Sequence, residues 1–252
     1  MSAGPEKVPS CVGRSSLQPV RSYTEYSRRM AAPSVTTREP LTRAGIAAGA
    51  LEIADREGLD AVTIRRLAQE NSVTPMALYW HFKDKDAVLD GIAERIFEGV
   101  RIPEPTEEPW EVQLRAILEA LLAAVSPHPN AGELLAPRVM TSEAGLLLAE
   151  RVIGLLRGAG FSGPQAAQTS SLLLCSIVTL VTSKPADYDA LDDEAVDEVR
   201  RLKQARLSSL SPRQFPHLRE SAQAFVICDS DEEYFARGID FLVNGSRGVV
   251  LG

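Results

Sequence analysis

The sequence predicts an all-α protein, with a small three-helix head at its N-terminal end and a larger helical domain behind it. Three observations carry that expectation. Apolar residues recur at helical spacing from Ile46 onward, and no stretch shows the alternation of a half-buried strand. Helix start and stop residues punctuate the chain at short intervals: Thr42, Gly58, Thr63, Thr74 with Pro75, and Asp84. Two short helical stretches stand only three residues apart, across Asn71, Ser72 and Val73.

Residues 1–40 are rich in Ser, Pro, Gly and Arg and lack apolar periodicity. They bury too little surface to offset chain entropy and are expected to be a disordered extension. Met30, after Arg28 and Arg29, is an alternative start of translation. Thr42 is the expected N-cap of the first helix, with Ile46, Ala47, Ala50, Leu51, Ile53 and Ala54 as its apolar stripe. Gly58 stops it. Thr63 caps a second helix over 64–70, whose Leu67 and Ala68 point inward. Thr74 followed by Pro75 starts a third, running to about residue 82. Asp84 caps a fourth, in which Val88, Ile92 and Ile96 repeat beside Leu89, Ala93 and Phe97.

Pro103, Pro105 and Pro109, interleaved with Glu104, Glu107 and Glu108, read as a hinge. The expected domains are therefore 41–100 and 101–252. In the second, helices are expected at about 110–125, 131–140, 142–158, 164–183, 192–209 and 232–244.

Composition narrows the function. Hydrophobic residues make up 44% and charged residues 24%, ordinary values for a globular chain. No secretory h-region opens the sequence, and the apolar run 172–181 is about half a bilayer span. No membrane partner is expected. Cys11, Cys175 and Cys228 form no CxxC pair, and His81, His128 and His217 share no ligand spacing. A reducing cytoplasm, no metal and no cofactor follow as expectations. Hydrolase elbows, phosphate-binding glycine loops and metal-spaced His/Cys are absent from the sequence, so no catalytic residue is assigned and an enzyme is not expected.

The net charge of −7 argues against a nucleic-acid partner until its distribution is followed. Residues 1–43 carry seven Lys/Arg against three Asp/Glu, a local +4; residues 101–252 carry fourteen against twenty-one. Inside the acidic stretch 44–100, residues 63–85 set Arg65, Arg66, Lys83 and Lys85 against Glu70 and Asp84, a local +2. Those same residues hold the motif. Two short helices joined by a three-residue turn, the second opened by Thr-Pro, are a helix-turn-helix in sequence form.

The segment TIRRLAQENSVTPMALYWHFKDK has the form T-x-R-x-L-A-x-x-x-x-V-x-x-x-x-L-Y-x-H-F-x-x-K. It closely resembles the DNA-binding head of the TetR family, over residues 42–100; the resemblance is weaker from 101 to 252. Short residues at Thr74, Pro75, Met76 and Ala77 let the third helix approach a major groove, with Met76 and Ala77 against thymine methyls. Thr74 reaches a base edge or phosphate. Tyr79 and His81 donate to phosphates, and Trp80 packs on the sugar-phosphate chain. Lys85 holds a phosphate at a helix start. Arg65 is the expected reader of guanine, and Thr63 completes the DNA-binding set. Phe82, Leu78 and Val73 are expected in the core, and Arg66 on a solvated surface.

The resemblance also implies a domain that dimerises and encloses a small-molecule effector. Two stretches suit dimerisation, 165–183 and 232–244, the latter within EEYFARGIDFLVNG. The effector-pocket candidates are Trp110, Leu114, Ile117, Leu121, Met140, Leu147 and Ile153, a mostly apolar set suited to an apolar or amphipathic ligand. The expected partners are thus a double-stranded, near-palindromic DNA operator, a second copy of the chain and an unidentified small molecule. The alternative is a DNA-binding regulator without such an effector, controlled by a protein partner or acting as an activator.

Overall fold

The computed structural model describes residues 41–183, 192–224 and 230–250; the extension 1–40 lies outside the described residues, as do Cys11 and Cys228. The described residues hold eleven α-helices and two 3₁₀ turns, with no strand among them. Helix α1 (Arg43–Glu57) begins at Thr42, whose hydroxyl accepts the Gly45 N–H at 3.0 Å. It ends at Gly58, which at φ 83° turns its N–H back to the Ala54 carbonyl. A 3₁₀ turn (Leu59–Ala61) leads to α2 (Ile64–Glu70), capped by Thr63 through the Arg66 N–H at 3.1 Å. The turn to α3 (Pro75–Tyr79) depends on Ser72 at φ 49°, while Val73 N–H closes onto the Ala68 carbonyl. Helix α4 (Lys85–Glu98) starts at Asp84, which accepts the Ala87 N–H at 2.8 Å.

Helix α3 is shorter than its sequence suggests. It stops at Tyr79 instead of about residue 82, and the N–H groups of His81 and Phe82 both return to the Leu78 carbonyl at 2.9 Å. The chain tightens there because Phe82 must turn inward. It is fully buried, and Gly91 of α4 lies so close that a Cβ there would stand 3.0 Å from the ring. Leu78 is buried with it, whereas Val73 is only partly so.

The larger part comprises α5 (Trp110–Val125), a 3₁₀ turn (Pro129–Leu134), α6 (Leu135–Arg138), α7 (Glu143–Gly158), α8 (Gly163–Thr182), α9 (Asp193–Ser208), α10 (Pro216–Glu220) and α11 (Asp231–Val250). One helix was expected over 131–140. Pro137 lacks the N–H that would bond one turn back, so the chain runs as a 3₁₀ turn and then one short α-turn. Helix α11 passes through Gly245, the expected stop, because its far end is tied down: Arg247 pairs with Glu111 at 3.1 Å, and the Gln165 amide donates to the Val249 carbonyl. Helix α10 had no sequence-level expectation.

The described residues from Leu41 onward cluster as one compact unit, and a single apolar core runs from Ile46 to Val243 across the expected 100/101 boundary. The Pro- and Glu-rich segment between α4 and α5 is tied to the helices that follow it. The Gln113 amide donates to the carbonyls of Thr106 and Glu108, at 3.0 and 2.7 Å, and accepts the Thr106 N–H. Arg151 donates to Gln113 at 3.1 Å and to the Pro103 carbonyl at 3.4 Å.

At the α6–α7 corner the backbone packs without room for a side chain. A Cβ on Gly145 would sit 2.5 Å from the Val139 carbonyl oxygen. Gly145→Ala therefore destabilises the fold by about 1–3 kcal/mol through overpacking, despite alanine's better helix propensity. Urea unfolding monitored by circular dichroism measures it; an unchanged or higher midpoint would mean that the corner yields freely.

Candidate nucleic-acid interface and cavity

The outer face of α3 carries large side chains that the fold leaves bare. Trp80 is 86% exposed, Met76 68% and Tyr79 51%, beside the buried Leu78 and Phe82. Burial does not explain two aromatic rings and a thioether placed on one short helix and its C-cap. At its start, Thr74 and Pro75 are exposed and the Thr74 hydroxyl caps no backbone N–H; Ala77 and His81 are half-buried. These residues follow one another along α3 and just past its end, with only Leu78 among them turned fully inward. Thr63 is exposed at the start of α2, its hydroxyl already occupied as a cap.

The two adjacent arginines of α2 separate by role. Arg66 is locked to Glu57 at 2.9 Å and to Glu70 at 3.0 Å, and Arg56 shares both carboxylates. Arg65, one residue earlier and so about 100° around the helix, is exposed and makes no ion pair or hydrogen bond with a described residue. Its guanidinium is available to a ligand. Lys85, first residue of α4, is exposed and donates through Nζ to the Leu59 carbonyl at 3.1 Å. Sequence reasoning missed Arg43. Its guanidinium donates to the His81 carbonyl at 2.9 Å and lies 4.4 Å over the Phe82 ring, so it braces the end of α3 from α1. No local pattern could show a contact across 38 residues.

Behind the head, α5, the α6–α7 corner, α7 and α8 enclose a cavity of about 240 Å³. Four expected pocket residues line it: Ile117, Leu121, Met140 and Ile153. The other three do not. Leu114 is fully buried in the core. Leu147 is 62% exposed on the outside of α7, beside the buried Leu148 that does line the cavity. Trp110 meets Phe161 edge to face at 5.7 Å and borders a separate groove with Gln113 and Arg151. The wall contains no ionisable side chain; Ser170 and Ser171 of α8 supply its hydroxyls. Sequence reasoning missed those serines because they sit among polar residues on a helix read as a dimerisation surface.

Helices α8 and α11 leave a further concavity, an open groove of about 650 Å³. They approach closely at Gly238, where a Cβ would stand 2.7 Å from Leu180. Leu172 and Phe241, 68% and 78% exposed, stand on the groove with Leu242 and Tyr234. Helix α8 is long and apolar enough by itself to cross a membrane, but Leu173, Leu174, Ile177 and Val181 are buried against the other helices. Among the described residues no group of three His, Cys, Asp or Glu stands together as a metal site.

Comparison with known proteins gives the same assignment for both parts. Residues 46–92 match the family of bacterial regulatory proteins, tetR family, and residues 102–250 match the tetracyclin repressor-like C-terminal domain. The chain is 29% identical over 208 residues to the tetracycline repressor protein class A from transposon 1721 of Escherichia coli, covering 78% of this chain and 86% of that one. It is 32% identical over 125 residues to an HTH-type transcriptional regulator of Saccharopolyspora erythraea; this match covers half of the chain and 53% of the relative. Among solved structures, ActR of Streptomyces coelicolor in complex with actinorhodin superposes with a TM-score of 0.72 at 27% identity, over 84% of this chain and 99% of that one. An exposed α3 face on a helix-turn-helix, a helical part with an apolar cavity, and family matches across both parts lead to one conclusion: this chain belongs to the TetR family of DNA-binding transcriptional regulators.

Proposed function

We propose that this regulator is a homodimeric, cytoplasmic repressor, released from a near-palindromic operator when a small apolar or amphipathic ligand occupies the cavity between α5, α7 and α8. The observation that carries the reading is the pairing of a bare α3 face with an apolar cavity in one continuously packed body. ActR, similar in fold, has been solved with (S)-DNPA and with actinorhodin, which supports a ligand-responsive reading here. The cavity wall has no histidine and no charge, so the ligand it suits is compact and carries no metal ion into the wall.

On DNA, α3 enters the major groove with Met76 and Ala77 against base edges and Thr74 at a base or phosphate. Tyr79, Trp80 and His81 lie along the sugar-phosphate chain. Arg65 reads guanine in a bidentate contact. Lys85 exchanges the neutral Leu59 carbonyl for a charged phosphate, the stronger acceptor. Two copies joined through the α8/α11 groove present two α3 helices to successive major grooves, about 34–36 Å apart.

Fluorescence anisotropy against DNA upstream of the coding region, with random DNA as control, tests the reading. Preference of about 10³-fold or more, with two subunits per site, is expected; if operator selected from random sequence also shows no preference, the repressor reading fails. Lys85→Ala weakens binding uniformly and lowers the salt slope by about one unit, whereas Arg65→Ala relaxes specificity at one base position. A uniform loss for Arg65→Ala, or an unchanged slope for Lys85→Ala, removes the respective role. Phe241→Arg places a charge in the α8/α11 groove and converts the dimer to monomer at micromolar concentration. Light scattering that still reports a dimer would exclude the groove as the interface.

A further inference from the structure

We propose a second ligand site on this chain, outside the cavity between α5, α7 and α8: a groove that takes a small planar aromatic acid, with its carboxylate on Arg151. The groove, about 440 Å³, lies between α7 and the segment that leads into α5, and no residue lines both it and the cavity. Spacing on α7 sets its floor. Arg151, Gly154 and Gly158 stand at i, i+3 and i+7, on one face of the helix and over about 10 Å of its axis. Above both glycines the space is open, since a Cβ on either would meet nothing within 4 Å. Trp110 borders this strip from the start of α5, its ring held edge to face against Phe161 at 5.7 Å. Bare backbone beside an indole makes a flat slot, and Arg151 places a cation at one end of it.

Arg151 selects an acid because its present partners are neutral. It donates through Nε to the Pro103 carbonyl at 3.4 Å and through Nη2 to Gln113 Oε1 at 3.1 Å. It forms no ion pair with a described residue, and its Nη1 donates to none. A part-buried guanidinium without a counter-ion favours an anion beside it. Gln113 has nothing left to offer a ligand: its amide N–H groups go to the Thr106 and Glu108 carbonyls, and its oxygen accepts from Thr106 and Arg151.

Glu108 is the other charged residue on the groove, and it does not cancel Arg151. It is exposed and makes no ion pair with Arg151, so water screens its carboxylate more strongly than the half-buried guanidinium. The cavity differs in chemistry as well as in place. Its wall has no ionisable side chain and suits a neutral occupant, whereas the groove couples a flat apolar surface to a positive charge. A charged and an uncharged version of one planar ligand therefore tell the two sites apart.

Calorimetric titration of the full-length protein with 2-naphthoate, and with uncharged 2-naphthamide as its isostere, tests the site. The acid is expected to bind saturably, one per chain, and about tenfold or more tighter than the amide, the step from a neutral to a charge-assisted hydrogen bond. Gly154→Leu projects a side chain into the open slot and is expected to weaken the acid by about tenfold or more. Ala149→Phe fills the cavity instead and is expected to leave the acid within about threefold. Arg151→Gln is expected to bring acid and amide to within about threefold of each other. Both ligands are compared in the same variant, so any shift of the segment that Arg151 ties cancels in that ratio. No saturable binding of the acid, binding unaltered by Gly154→Leu, or an acid preference that survives Arg151→Gln each overturns the proposal. Loss with Ala149→Phe alone overturns it too, by moving the acid to the cavity. Leucine at this open helical position removes no contact and has the better helix propensity, so the variant is expected to fold as stably as wild type. If it does not, Gly158→Leu blocks the other end of the slot and the same comparison decides. The operator and effector-cavity readings are tested separately and stand or fall without this site.

Discussion

The structure depends on helix α4 burying two faces at once. Val88, Ile92, Ala93, Ile96 and Phe97 are all sequestered, with Ala87 and Gly91 filling the closest approaches. On one side Gly91 lets α4 lie against Phe82 and Ala47 of the head. On the other, its carboxylates meet Arg138 and the Ala144 N–H. A helix covered on both sides cannot shift against one neighbour without disturbing the other, because close-packed interiors transmit displacement instead of absorbing it. Five-residue α3 would not persist alone. Leu78 and Phe82, anchored beneath it, hold its outer face in place.

Polar interactions on this frame choose orientation more than they supply stability. Surface ion pairs contribute little in water, and the Arg56–Arg66–Glu57–Glu70 cluster is substantially exposed. Its consequence is selective: it holds Arg66 away and leaves Arg65 available. Arg43 acts in a comparable way from a distance, since its contact with the His81 carbonyl and the Phe82 ring fixes where α3 ends. The acidic balance of residues 101–252 is compatible with a DNA-reading face because the local excess of positive charge lies on α2 and the start of α4.

Much of this protein was determined locally by its sequence. Thr42, Thr63, Asp84, Ser142 and Ser162 cap helices because each side-chain oxygen meets the N–H three residues ahead, a contact that needs no distant partner. Gly58 ends α1 for an equally local reason, a positive φ. The helix-turn-helix spacing, and the division between inward Leu78 and Phe82 and outward Tyr79 and Trp80, followed from the helical period over a few residues.

Tertiary structure decided everything that required two distant segments to meet. Sequence pattern marked Ile117, Leu121, Met140 and Ile153 as apolar but could not separate them from Leu114, which the core absorbs, or Leu147, which faces outward. Gly245 carried a stop signal that the ties of Arg247 and Gln165 override. The proline-rich segment reads as a hinge from its composition, which could not show that Gln113 and Arg151 hydrogen-bond to it. Arg138 had no signal at all, because its meaning depends on Asp86 and Asp90, some fifty residues earlier. Local chemistry specifies helices and their faces; which face meets a cavity, a partner helix or water is settled when the chain packs as a whole.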